Sequence, residues 1–178
     1  LYHLNTRNSG LQNDIILDII EKDGQLWLAT DGGGINILDK KSRTVSSIQH
    51  IPGDNGSLPV NSITCLYTDP GNNIWAGSVR GGMFGIKEVD IKTYKDVPLN
   101  HPNGLSEKTV ISLYEDETGI LWIGTDGGGI NSYHPRQNRF KHYATTYGEK
   151  VVSITPYSEE ELMVSFFCNG LYLFNKKT

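Results

Sequence analysis

The string Leu26-Trp27-Leu28-Ala29-Thr30-Asp31-Gly32-Gly33-Gly34-Ile35-Asn36 returns, nearly unchanged, as Leu121-Trp122-Ile123-Gly124-Thr125-Asp126-Gly127-Gly128-Gly129-Ile130-Asn131. Looser copies stand at Ile74 to Gly82, around Trp75, and at Leu162 to Gly170, where Met163 holds the Trp position. Successive copies lie 48, 47 and 41 residues apart. Repetition at that interval admits two architectures, a radial array of small sheets or an array of helical hairpins. Helical hairpins are excluded by the absence of any sustained 3.6-residue apolar period with caps.

Apolar runs and turn signals give each copy the same plan. In the first, the nearly continuous run Ile15 to Ile20 predicts a strand buried on both faces. Lys22-Asp23-Gly24 turns the chain, Leu26 to Thr30 runs back, Asp31 to Gly34 turns again, Ile35 to Leu38 returns, and Thr44 to Ile48 forms a polar outer strand. The second copy predicts strands at Ile63 to Tyr67, Ile74 to Ser78, Met83 to Val89 and Thr93 to Val97. The third predicts Val110 to Tyr114, Leu121 to Thr125, Ile130 to Tyr133 and Arg139 to Tyr143. The fourth has only Val151 to Ile154, Leu162 to Ser165 and Leu171 to Phe174, and lacks an outer strand. Four-stranded meanders with Trp on the second strand and glycines at the turns stack radially as β-propeller blades. The expected fold is therefore all-β, with blades at about 14–50, 61–98, 108–144 and 150–178 in a single propeller segment. The alternating stretch Leu1 to Asn5 reads as an orphan outer strand, able to complete the last blade within one chain or in a partner chain. Because the Trp position faces the adjacent blade, Trp75→Ala should cost about 3 to 5 kcal/mol.

Composition then removes several function classes. With 20% charged residues and a net charge of −4, the chain lacks the basic stripe that neutralises a nucleic-acid backbone. No apolar run approaches the ~18 residues of a membrane helix, and no basic-then-apolar leader opens the sequence, so no membrane contact is expected of this segment. Cys65, inside an apolar run, and Cys168, in a loop, have no metal-ligand spacing and are expected to be free. The Asp-Gly-Gly-Gly turns lack the Lys-Ser/Thr and following helix of a phosphate loop and the spaced oxygens of a calcium loop. No metal and no cofactor are expected; the glycines supply positive φ and the Asp carboxylate is expected to hold the turn through its own backbone. The same local reading applies to Asp23, Asp69 and Asp116.

Having these residues in view, the pattern Asp116-Glu117-Thr118-Gly119-Ile120-Leu121-Trp122-Ile123-Gly124-Thr125-Asp126-Gly127-Gly128-Gly129-Ile130 resembles the two-component regulator propeller repeat. That repeat builds the periplasmic sensor region of bacterial hybrid two-component histidine kinase/response regulators. The resemblance is strong in the first and third copies, fair in the second and weak in the fourth, where Phe166-Phe167-Cys168-Asn169 replaces the Thr-Asp-Gly-Gly run. It implies a periplasmic, non-catalytic segment that senses an oligosaccharide and signals to a histidine kinase to control transcription. It also implies neighbouring propeller and immunoglobulin-like domains in a longer receptor.

Candidate ligand contacts follow from position. Loops joining outer to inner strands, and second to third strands, gather on one face of a propeller, and that face carries Asp31, Arg80, Asp126, Phe167 and His101. Arg80 replaces the turn glycines Gly32 and Gly127 and is expected to project outward. Aligned on the Trp column, Asp18 takes the slot of Leu66, Leu113 and Ile154 on the innermost strand, where its carboxylate must reach a wet axis or a partner. No pair of carboxylates and none of the five histidines forms a recognisable catalytic arrangement. Propeller lyases and glycosidases nonetheless keep a carbohydrate-active enzyme as the alternative, and a protein interaction scaffold is a third reading. Open strands at the two ends predict a homodimer.

Overall fold

Every strand but one that the repeats predict is formed. The structure is a computed structural model that describes residues 3–54, 56–87, 90–94, 104–143 and 150–177. Fifteen strands and no helix occur among the described residues. They are β1 (Ile16–Lys22), β2 (Gln25–Thr30), β3 (Ile35–Asp39), β4 (Val45–Ile48), β5 (Ile63–Thr68), β6 (Ile74–Ser78), β7 (Gly82–Lys87) and β8 (Asp90–Tyr94). The remainder are β9 (Val110–Glu115), β10 (Leu121–Thr125), β11 (Ile130–His134), β12 (Arg139–Tyr143), β13 (Val151–Pro156), β14 (Glu161–Phe166) and β15 (Gly170–Asn175). Each group is an antiparallel meander, β1-β2-β3-β4, β5-β6-β7-β8 and β9-β10-β11-β12, with β13-β14-β15 three-stranded. The second blade's outer strand begins at Asp90, earlier than the expected Thr93, and Val89 and 95–97 lie outside the described residues. The predicted strand at Leu1 to Asn5 is absent where it can be seen: the Asn5 backbone N–H donates to Asn8 Oδ1, the Asn8 backbone N–H to the Asn5 carbonyl and Asn8 Nδ2 to the His3 carbonyl, which folds residues 3–8 into a turn.

The chain divides into two compact units, Leu1–Thr93 and Tyr94–Thr178. In the first unit, β2 and β3 contribute Ala29 and Ile35 to a core completed by Leu58, Ile63, Leu66, Ile74, Ala76 and Phe84 from the second blade. Trp27 packs on that cluster, as a face-to-face blade contact requires. In the second unit, Trp122 is 2% exposed and lies in a core with Val151, Ile154, Leu162 and Val164 of the following blade. Its ring meets Tyr143 at 5.4 Å and Phe174 at 5.6 Å between centroids, tilted and edge-on geometries that suit aromatic quadrupoles.

Two expectations about β1 are corrected. The strand is not buried on both faces: it alternates half-buried and exposed residues, with Leu17 and Ile19 on the open side. In the second and fourth blades Leu66 and Ile154 are buried, where β1 and β2 pack on β5 and where β9 and β10 pack on β13. The slot of Asp18 is also shifted by one. The β1–β2 hairpin pairs Lys22 with Gln25 across Asp23-Gly24, whereas the next pairs Thr68 with Ile74 across five residues. The shorter turn brings Ile20, Tyr67 and Tyr114 opposite their tryptophans, so Ile19 takes the slot of Leu66, Leu113 and Ile154, and Asp18 that of Cys65, Ser112 and Ser153.

Candidate functional site

The turn between second and third strands is built the same way in three blades, and the side chain that closes it is the last hydroxyl of the second strand. Thr30 Oγ1 donates to the Gly34 carbonyl at 2.7 Å, Ser78 Oγ to Gly82 at 2.8 Å and Thr125 Oγ1 to Gly129 at 2.8 Å, all three hydroxyls buried. This packing leaves no room at the middle glycine: a Cβ on Gly33 would lie 2.7 Å from Thr30 Oγ1, and one on Gly128 would lie 2.5 Å from Ser106 Oγ.

The aspartates of these turns therefore do something other than brace their own backbone. The Asp31 carboxylate accepts from Ser62 Oγ of the second blade at 2.5 Å, beside an isolated bridge between the two residues. Asp126 pairs in the same way with Lys150 of the fourth blade, Nζ to Oδ2 3.4 Å. Each is a latch to the next blade. Because both pairs are exposed, each contributes at most about 1 kcal/mol. Backbone bonds set the same register throughout: Asp31 donates to Ile15, Val79 to Ser62, Asp126 to Thr109 and Phe167 to Lys150.

On this scaffold the predicted ligand residues separate into groups. Asp126, Lys150 and Phe167 come together in the second unit, where the Lys150 ammonium stands 5.5 Å over the Phe167 ring and 3.4 Å from Asp126. Phe167 is 64% exposed, so a flat apolar face, a cation and a carboxylate share one open loop surface. Lys150, which sequence reasoning used only as a blade boundary, is the residue that joins the other two. In the first unit Asp31 and the turn carrying Arg80 are both tied to Ser62, the first through the side chain and the second through Val79 N–H. Arg80 is exposed as expected and holds φ of 61°, in the column where Gly32 has 96° and Gly127 has 106°. Cys168 occupies the same column with φ of 60°. A side chain in that left-handed region costs about 1 kcal/mol or more, a strain that turns at binding surfaces often carry.

Asp18 does not join the site. Its carboxylate is half-buried and accepts from Leu66 N–H at 2.7 Å and from Ile19 N–H at 2.8 Å, so of the two expected alternatives it has the partner, and it stitches two inner strands. His101 lies outside the described residues.

At the opposite strand ends Asp69 and Asp116 hold their loops, as expected, and also reach the blade tryptophans. Asp69 Oδ2 accepts from Trp75 Nε1 at 3.0 Å, and Asp116 Oδ2 from Trp122 Nε1 at 2.8 Å. Burial alone would push the Asp116 carboxyl up; hydrogen bonds from Thr118, Trp122 and Ile120 outweigh it and hold it below the usual carboxylate value. The first blade's two-residue hairpin does not supply this acceptor, and Trp27 Nε1 is buried without a partner among the described residues. A recurrent buried leucine was also missed. Leu11, Leu58 and Leu105 stand 47 residues apart, each next to Gly or Ser, and all three are buried. The spacing was the available signal.

The two-component regulator propeller pattern matches residues 57–80 and 104–127, each running from such a leucine through the Trp to the glycine turn. No curated protein matches this chain. Among solved structures it is similar to the extracellular domain of a protein assigned as hybrid two-component system BT3049 from B. thetaiotaomicron, at 22% identity and a TM-score of 0.79, covering 99% of this chain and 24% of that one. It is similar also to the corresponding domain of BT4673 from the same organism, at 26% identity and a TM-score of 0.68, covering 96% and 23%. Virginiamycin B lyase from Staphylococcus aureus shares the fold at 16% identity and a TM-score of 0.64, covering 98% and 59%. This chain thus spans about a quarter of the two-component extracellular domains it resembles.

Proposed function

We propose that this chain is part of the periplasmic sensor region of a hybrid two-component receptor, that its ligand is an oligosaccharide, and that it signals by binding without catalysis. The observation that carries the reading is the Asp126–Lys150–Phe167 cluster on the glycine-turn face of a regulator-propeller blade. An exposed aromatic ring stacks on the C–H face of a pyranose, while a neighbouring cation and carboxylate bond its hydroxyls. The strained Arg80 turn adds a guanidinium on the same class of loop in the first unit, suited to a carboxylate or sulfate substituent.

Signalling requires a ligand with unequal affinity for two states of the receptor, so binding at these loops would shift the packing of this segment against neighbouring propeller and immunoglobulin-like domains. Exposed Leu17 and Ile19 on β1, and Leu171 and Leu173 on β15, support association with further blades or with a second copy as a homodimer. Light scattering tests that part: a monomeric mass for the receptor's extracellular region rejects the dimer. Incubation with a glycan panel tests the class of activity. Calorimetric binding without new reducing ends or unsaturated products supports the sensor; turnover of any glycan rejects it.

A further inference from the structure

A cavity of about 190 Å³ lies in the third blade, between the β9–β10 loop and the β11–β12 turn. It is at the strand ends opposite the glycine turn that bears Asp126, so it is a second place on this unit and does not depend on the sensor reading. It is an open depression lined by Ile120, Pro135, Arg136 and Gln137, of which the last three are exposed, and by His134 at the end of β11. At ~30 Å³ per water the volume equals about six waters, too small for an oligosaccharide and suited to one compact molecule.

The available hydrogen-bonding groups favour an anion. None of the residues lining the cavity is acidic. The nearby Asp116 carboxylate is occupied by Thr118, Ile120 and Trp122, and Thr118 Oγ1 is spent on it, so neither competes for a ligand. His134 Nε2 sits 3.2 Å from Ser132 Oγ, and its Nδ1 has no hydrogen-bond partner among the described residues. Burial pushes its pKa below the ordinary histidine value, against the pull of Asp116 and with the push of Arg139 and Lys141, so the ring is neutral near pH 7. Arg136 is exposed at the rim and presents a planar fork of donors. One guanidinium, a neutral imidazole and an amide match a single negative charge, and the apolar walls match a carbon skeleton.

We infer that this cavity binds a small organic molecule bearing one carboxylate, such as a uronic or hydroxy acid, with the carboxylate on Arg136 and the carbon body against Ile120 and Pro135. Backbone amide shifts on the ¹⁵N-labelled chain test it, with glucuronate, glucose and inorganic phosphate as separate probes. The expected result is saturable shifts at Gly119, Arg136 and Gln137 with glucuronate, about tenfold weaker with Arg136→Ala and partly restored by Arg136→Lys. His134→Gln, which keeps a donor, should change affinity less than Arg136→Ala. Equal affinity for glucose overturns the anion; equal affinity for phosphate overturns the carboxylate. Shifts centred on Lys150 and Phe167, or none that saturate, overturn the site.

Discussion

The same substitution should have different consequences in two blades that look alike in sequence. In Trp122→Phe, the loss of Nε1 removes a 2.8 Å hydrogen bond to the buried Asp116 carboxylate, leaving that Oδ2 only the distant Lys176 ammonium at 4.0 Å. A hydrogen bond to a charged acceptor is worth about 1.5 to 3 kcal/mol. The ring contraction of roughly 40 Å³ adds about 1 kcal/mol at ~24 cal/mol per Å³ of cavity. The sum is a loss of about 2.5 to 4 kcal/mol. In Trp27→Phe the contraction is the same, but the deleted N–H is buried and unpaired, and removing it relieves a desolvation penalty of about 1 to 3 kcal/mol. That variant should range from unchanged to about 2 kcal/mol more stable than the parent. Urea unfolding followed by far-ultraviolet circular dichroism, with slopes compared so that midpoints report stability, reads the difference. Equal losses would refute the reasoning, because they would mean that the Asp116 bond contributes nothing beyond packing.

Arg80→Gly relieves the left-handed backbone at φ 61° and should leave stability unchanged or raise it by up to about 1 kcal/mol, while weakening glycan binding by the receptor's extracellular region; a thermal melt paired with a titration checks both. Cys168 is exposed, whereas burial pushes the Cys65 thiol up to about 12, so a thiol reagent at about pH 8 should label one cysteine quickly and the second only on unfolding. The Asp116 carboxyl titrates below its unfolded value of 3.8, so its stabilisation is whole above that value and fades as pH falls through the lower folded one. Asp116→Asn should therefore cost stability in full above 3.8 and progressively less as the pH falls below it, as paired denaturation curves would show.

Strand positions were legible because alternation and turn chemistry are local, and β6, β10 and β12 have the expected bounds. What failed depended on geometry one turn away. A hairpin shorter by one residue moved Asp18 out of its aligned slot and gave it Leu66 N–H as a partner. The turn aspartates looked self-contained because their partners, Ser62 and Lys150, lie 31 and 24 residues on. Of the candidate site, Asp126 and Phe167 were legible from their places on glycine-type turns. Lys150 was not, since nothing in its own neighbourhood shows that it stands over a ring.

The direct measurement is calorimetric titration of the receptor's extracellular region containing this chain with an oligosaccharide panel, in parent, Phe167→Ala and Lys150→Ala forms. The account predicts saturable heat from one glycan class, weakened about tenfold or more by each substitution, since ring stacking and a charge-assisted bond are each worth about 1 to 3 kcal/mol. Binding that survives both substitutions unchanged, or a response to a peptide or protein with silence from every sugar, would contradict it.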